Sequence, residues 1–309
     1  MRMTRTFLRC ACVVALLASG CGDPDGLRLP HNGDSVVGAA RTLRLDEPVK
    51  AIDLAQRYSV ALDDLLKVNA RVRRTRDGHL PAGAEVKLPT QFVLPDVPRR
   101  GIVINIAERR LYWFPGDPDD KADRVLVFAA AVGREEWETP TGQTHVAERI
   151  VDPPWYPPES IRAEAAESGT PLPEVVPPGP ENPLGRHALR LGWKKHLIHG
   201  TNAPKSIGQR VSHGCVRLYP EDMEQLFEHV REGTPVRLVD QAVKLGTHEG
   251  ALYLEAHPPQ SPAGEEQQEG ARRKIEAWAR KHPGRRIDWD RVKRALAEPT
   301  GLPVRISAS

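Results

Sequence analysis

Ser212-His213-Gly214-Cys215 sets a lone thiol among polar and glycine neighbours, and a second histidine, His199, precedes it by sixteen positions. Of the four cysteines, Cys10 and Cys12 fall in an apolar N-terminal run and Cys21 at its end, so Cys215 is the only one in the remaining body. Structural cysteines ordinarily sit among aliphatic residues. A single Cys with histidines at hand is instead a candidate nucleophile. A thiolate that attacks an amide carbonyl needs a group to take its proton and return it to the leaving amine, which one imidazole does. His213 is two residues from Cys215, and neighbours that close in an extended segment rarely reach each other; it orders the loop, contacts substrate or tunes charge. His199 ends a different predicted strand that can lie alongside, so His199 is the expected base. Gly214 permits close backbone approach, and the N–H groups of the Ser212–Cys215 loop offer an oxyanion hole. Zinc is the rival use of His and Cys, but paired ligands of the Cys-x-x-Cys or His-x-x-x-His kind are missing around the thiol. Neither a metal nor a cofactor is expected.

The elements around these residues follow from pattern. Leu197 to His199 reads as a strand, and Pro220 to Arg231 as a helix with Pro at its start, Glu221 and Asp222 in its first turn and an apolar face of Met223, Leu226, Phe227 and Val230. Cys215 therefore lies on a loop or strand end shortly before a helix. From Gly101 onward the texture is β: Ile102 to Ile106, Leu111 to Phe114, Val125 to Val132, Thr144 to Val151, Ala188 to Leu191 and Val236 to Val239 are successive candidates. Short strands punctuated by turns predict a sandwich or barrel for residues 97–240. Between Asp152 and Gly185 lie 10 of the 29 prolines, which excludes a central strand there. One short helix, Glu159 to Glu167, fits inside. A long ordered loop of this kind is a lid or binding loop, or else a surface insertion.

Residues 42–96 read as strand, helix, helix, strand: Thr42 to Leu45, Ala51 to Tyr58, Ala61 to Asn69 and Val86 to Pro89. Residues 241–309 form a mixed extension with a polar hinge from Gln260 to Gly270 and basic helices after it; no chemistry is apparent in it. At the other end, Arg2, Arg5 and Arg9 precede an apolar run too short to span a bilayer, so residues 1–20 read as a signal peptide. Residues 21–41 have the composition of a tether. A lone thiol in an exported body has no internal disulfide partner, which points to chemical use. A net charge of +3 argues against a nucleic-acid partner.

Ile198-His199-Gly200-Thr201-Asn202 and Ser212-His213-Gly214-Cys215-Val216-Arg217-Leu218, at this spacing, resemble the L,D-transpeptidase catalytic domain, a likeness running from about Gly101 to Asp240. Ile52, Ala55, Tyr58, Val60, Leu65, Asn69, Leu80, Gly83, Val86 and Pro89 resemble a LysM domain. Ala18-Ser19-Gly20-Cys21 resembles the bacterial lipobox. The combination is similar to periplasmic enzymes of Gram-negative bacteria that couple the major outer-membrane lipoprotein to peptidoglycan. The implied fold is mainly β, a β-sandwich catalytic domain preceded by a small α+β unit.

The implied reaction is a transacylation. Cys215 attacks the bond between diaminopimelate and the terminal D-alanine of a peptidoglycan tetrapeptide stem, and an amine resolves the thioester. Candidate acceptors are a lipoprotein lysine, a second diaminopimelate and a free D-amino acid. The third triad element is then a backbone carbonyl that holds the His199 tautomer. Arg217, Thr201 and Asn202 are the expected substrate-binding residues, with Arg217 either meeting a stem carboxylate or bracing the loop. The LysM-like unit would contact glycan strands, and a lipid on Cys21 would anchor the protein to a membrane of the periplasm. Two alternatives stay open: water as acceptor makes the chain a carboxypeptidase or amidase of the same fold, and an inert catalytic domain leaves a wall-binding lipoprotein.

Overall fold

The computed structural model describes residues 26–30, 33–116 and 123–308. The signal-peptide reading and Cys21 lie outside the described residues.

Apolar alternation closes the central body into one ring of strands. In order around it run Arg124–Gly133, Val216–Leu218, Leu197–His199, His187–Leu191, Gly142–Val151, Pro235–Val239, Gly101–Asn105 and Arg110–Phe114, which pairs back with Arg124–Gly133. The two ten-residue strands, Arg124–Gly133 and Gly142–Val151, each serve two sheets. Register shifts at Val132/Gly133 and between Val146 and Glu148 accompany the bends. Irregularities of this kind let a strand turn out of one sheet and into the next. The expected sandwich is therefore a flattened, barrel-like one with shared strands. Ile102, Ile104, Leu111, Phe128, Leu189, Ile198, Val216 and Leu238 fill its interior. Helix α4 (Pro220–His229) packs against that core through Met223, Leu226 and Phe227, as its spacing predicts.

The α+β unit is a strand Arg41–Arg44 paired with Glu85–Leu88, around helices α1 (Ala51–Arg57) and α2 (Leu62–Val68). Asn69 ties the end of α2 to the closing strand: its Nδ2 donates to the carbonyls of Leu65 and Lys87, and its Oδ1 accepts from Lys87 N, all at 2.8 Å. This unit does not swing free. Ala129 N donates to Ser59 O (3.1 Å), Tyr219 Oη donates to Val60 O (3.1 Å), and Ser59 Oγ donates to Asp222 Oδ1 (2.6 Å). A Cβ on Gly208 would fall 2.3 Å from Ala61 Cβ, so only glycine admits the turn between α1 and α2 this close to the barrel.

Two expectations are corrected. The tether from 21 to 41 is not a free linker from residue 27 on. Leu27–Arg28 pairs with Arg124 and Val125, Val36–Gly38 pairs with Gln91–Val93, and the buried Leu29 and Val37 join a core with Val103 and Tyr112. Turn-rich composition hid three aliphatic residues with somewhere to go. The polar hinge at 260–270 is instead part of helix α5 (Pro262–Lys281), capped by Ser261 Oγ accepting from Gly264 N. Its buried Ala271 and Ile275 pack with Val243, Leu252 and Leu254 of a three-stranded sheet of Val243–His248, Ala251–Ala256 and Val304–Arg305.

One buried ion network joins all these parts. Arg110 Nη1 lies 3.1 Å from Glu108 Oε2 and 2.8 Å from Glu255 Oε1, and Lys244 Nζ lies 2.8 Å and 3.1 Å from the same two atoms. Arg110 also reaches Asp64 of α2 (3.6 Å), Tyr112 Oη donates to Glu108 (2.7 Å), and Lys244 Nζ donates to the Val93 carbonyl. Glu108, Glu255 and His257 are close enough to share a cation, but Arg110 and Lys244 already neutralise both carboxylates. The cluster is structural.

Burial pushes the Asp222 carboxyl up to about 8, against the opposing hydrogen bond from Ser59. The unfolded chain releases this proton near 3.8 whereas the folded protein keeps it, so Asp222 erodes stability as pH rises from about 4 to about 8. Asp222→Asn keeps an acceptor for Ser59 and removes the titration. Urea unfolding at pH 5 and pH 8 should show a smaller loss with pH for the variant; equal slopes would contradict this.

Candidate active site

The parallel pairing of Leu197–His199 with Val216–Leu218 builds the site. Ile198 stands opposite Val216 and His199 opposite Arg217, and both Ile198 and Val216 point into the core. Because side chains alternate along a strand, Leu197 and His199 share the outward face with Cys215 and Arg217. All four line a cleft of about 730 Å³, together with Ser212 and His213. Its roof is the proline-rich insertion: Pro153, Trp155, Tyr156 and Ile161 line it from above. The insertion contains helix α3 (Glu159–Glu167), whose span matches the expected one.

His199 is buried, and its Nδ1 lies 2.7 Å from the Gly200 carbonyl. That contact makes Nδ1 the protonated nitrogen and leaves Nε2 with a lone pair. Burial first, and then the Arg217 charge, bring the imidazole down to about 3. Cys215 Sγ donates to the Lys195 carbonyl at 3.7 Å. Burial pushes the thiol above its usual range, while the Leu197 backbone and Arg217 pull the other way. Both groups therefore rest neutral in the free protein.

The thiol loop is tightly built. Ser212 Oγ donates to Cys215 O (2.5 Å), and Thr139 Oγ1 donates to Gly214 O (3.1 Å) while accepting from Gly133 N (2.8 Å). Gly214 has φ +97°, and a Cβ there would stand 3.3 Å from His196 Nε2. The left-handed backbone is what favours glycine here, and a Cβ would crowd the histidine beside it.

Arg217 is half-buried beside the thiol, and its Nε has no hydrogen-bond partner among the described residues. His213 is engaged by Arg134 and Glu164, at 3.2 Å and 3.1 Å from its Nε2, with the Trp137 ring 5.3 Å away. Thr201 and Asn202 are not brought into the thiol's cleft. They line a separate pocket of about 400 Å³ behind Gly200, where Thr201 Oγ1 accepts from Ala203 N and Asn202 Nδ2 donates to Glu181 O. The turn after His199 carries them past the strand end, and alternation along the strand no longer applies. Sequence reasoning missed Lys195, His196, Trp137 and Arg134, which belong to loops whose pattern carries no period.

Residues 99–238 match a family model, YkuD, described as the L,D-transpeptidase catalytic domain. The chain is 36% identical over 288 residues to the probable L,D-transpeptidase ErfK/SrfK of Escherichia coli (strain K12), covering 91% of this chain and 90% of that protein. It is 40% identical over 240 residues to the probable L,D-transpeptidase YbiS of the same organism, covering 75% of each chain. Similarity to the probable L,D-transpeptidase YcfS, also from that organism, is 38% over 240 residues, 75% of this chain and 72% of that one.

A neutral resting thiol has a direct consequence. Alkylation of Cys215 by iodoacetamide in the free protein should keep accelerating above pH 9, because the thiolate forms only there. A rate that reaches its plateau below pH 7 would mean a preformed thiolate–imidazolium pair.

Proposed function

The chain belongs to the L,D-transpeptidase family, and on that premise we propose that Cys215 is its nucleophile and His199 its general base and acid, acting on peptidoglycan tetrapeptide stems. The observation that carries this reading is the strand register that sets Cys215, Arg217 and His199 on one face, with Gly200 O at His199 Nδ1.

Chemistry begins when the bound stem displaces water from the cleft. His199 Nε2 takes the thiol proton as Sγ bonds to the diaminopimelate carbonyl carbon, and the N–H groups of the Gly214–Cys215 loop receive the oxyanion. The C–N bond breaks, His199 returns the proton to the departing D-alanine amine, and a thioester remains. An incoming amine then gives its proton to His199 and takes the acyl group, restoring the thiol. With both partners neutral at rest, the ion pair exists only while substrate is engaged. Arg217, which lines the cleft, pairs with a stem carboxylate and favours the thiolate as it forms.

The acceptor in this reading is an amine, either a lipoprotein lysine or a second diaminopimelate. The enzyme would work in the periplasm of a Gram-negative envelope, exported by residues 1–20 and anchored through a lipid on Cys21. The α+β unit, with its Asn69 clasp, suits a LysM-like contact with glycan strands. Its docking on Ala129 and Tyr219 further gives it a second duty, supporting the loop that leads to Arg210–Ser212.

D-Alanine release from a soluble tetrapeptide fragment tests the assignment. His199→Ala should lose roughly 10²–10⁴-fold in kcat, the usual contribution of a positioned acid–base group. His213→Ala should lose far less, since its ring is turned to Arg134 and Glu164. The reverse order of losses would transfer the base to His213.

A further inference from the structure

Helix α3 covers the cleft without burying any of its side chains. Apolar contact therefore does not explain why it lies where it does. Its attachment is polar and concentrated on one residue. Glu164 accepts from Arg134 Nη1 and Nη2, both at 2.8 Å, and His213 Nε2 lies 3.1 Å from the same carboxylate. Arg134 is itself fixed to the thiol's loop, because its backbone N donates to Ser212 O (3.0 Å). The neck of the insertion is held separately. Trp155 and Val176 exchange backbone hydrogen bonds at 2.9 and 2.8 Å, and the fully buried Asn182 donates to Pro153 O (2.8 Å) while its Oδ1 accepts from Leu184 N (2.9 Å).

The roof is thus a strap with a rigid base and, among the described residues, one polar latch. We infer that Glu164 is a positioning residue: from the roof it clasps Arg134 and His213 and so fixes the cleft's ceiling and the Ser212–Cys215 loop relative to each other while a stem peptide is bound. The inference rests on the proposed role of Cys215 and His199. Arg134 and then His213 hold the Glu164 carboxyl down to about 2, so the latch stays charged at any pH at which the enzyme would work. A charged fork that is partly open to solvent is weak, which suits a roof that must lift to admit a branched polymer and release its product.

Glu164→Ala should raise KM for a soluble tetrapeptide about two- to five-fold, the upper range of a partly exposed ion pair, with kcat within about two-fold because the reacting atoms are untouched. Exchanging the two charges, Arg134→Glu with Glu164→Arg, should recover most of the lost KM, which a role confined to folding would not allow. In the free protein, amide hydrogen exchange at residues 153–161 and 213–215 should quicken in Glu164→Ala and return toward normal in the exchanged pair. An unchanged KM with unchanged exchange in Glu164→Ala, or an exchanged pair as impaired as the single variant, overturns the latch. A wild-type protein that releases no D-alanine would instead count against the catalytic reading, and the exchange measurements then decide the latch by themselves.

Discussion

Everything at the site depends on a parallel pairing of two three-residue strands. Ile198 opposite Val216 is a packing decision: both side chains are sealed in the core, and a slip of either strand by one residue would turn its own core residue outward, Val216 in exchange for Cys215 or Ile198 in exchange for His199. The interior of the barrel thus specifies the exterior chemistry. Helix α4 reinforces the choice, since Met223, Leu226 and Phe227 fill the same core just after the thiol's strand ends. The geometry of the candidate site is set mostly by residues buried in the core.

The electrostatics divide in the same way. At the cleft, burial keeps thiol and imidazole neutral, and Arg217 is the charge that favours a thiolate once one forms. Away from it, Glu108, Arg110, Lys244 and Glu255 are buried together, each with a partner of opposite charge within about 3 Å. Such a network costs much desolvation, and the loss of one member would leave an uncompensated charge in the interior. It joins α2, the barrel and the C-terminal sheet at one point, so those three parts must assemble in a fixed relation. The docked turn at Ser59–Ala61 adds a second tie, on the side of the barrel that leads to the thiol's loop.

Much of this was legible in the residues. The lone thiol, the histidine sixteen positions before it and the helix start at Pro220 carry local signals, and the strand Leu197–His199 and helix Glu159–Glu167 have the spans their patterns predict. Asn69 is one of the residues that carry the LysM resemblance, and its clasp shows what an amide does there. What escaped reading was the non-local part. A tether composition says nothing of a barrel edge waiting for Leu27 and Arg28. Thr201 and Asn202 sit in the motif yet turn away from the thiol, because motif proximity is not spatial proximity. Glu164 lies 49 residues from His213 in an Ala- and Glu-rich helix, where one carboxylate looks like any other until the fold brings Arg134 beside it.

The central claim is that Cys215 carries the acyl group. Intact-mass spectrometry of the protein mixed with a soluble tetrapeptide fragment tests it without reference to any acceptor. The account predicts one adduct per chain, equal in mass to the fragment less D-alanine, mapping to the peptide that contains Cys215 and missing from Cys215→Ser. An adduct that survives in that variant, or that maps to another residue, would contradict it.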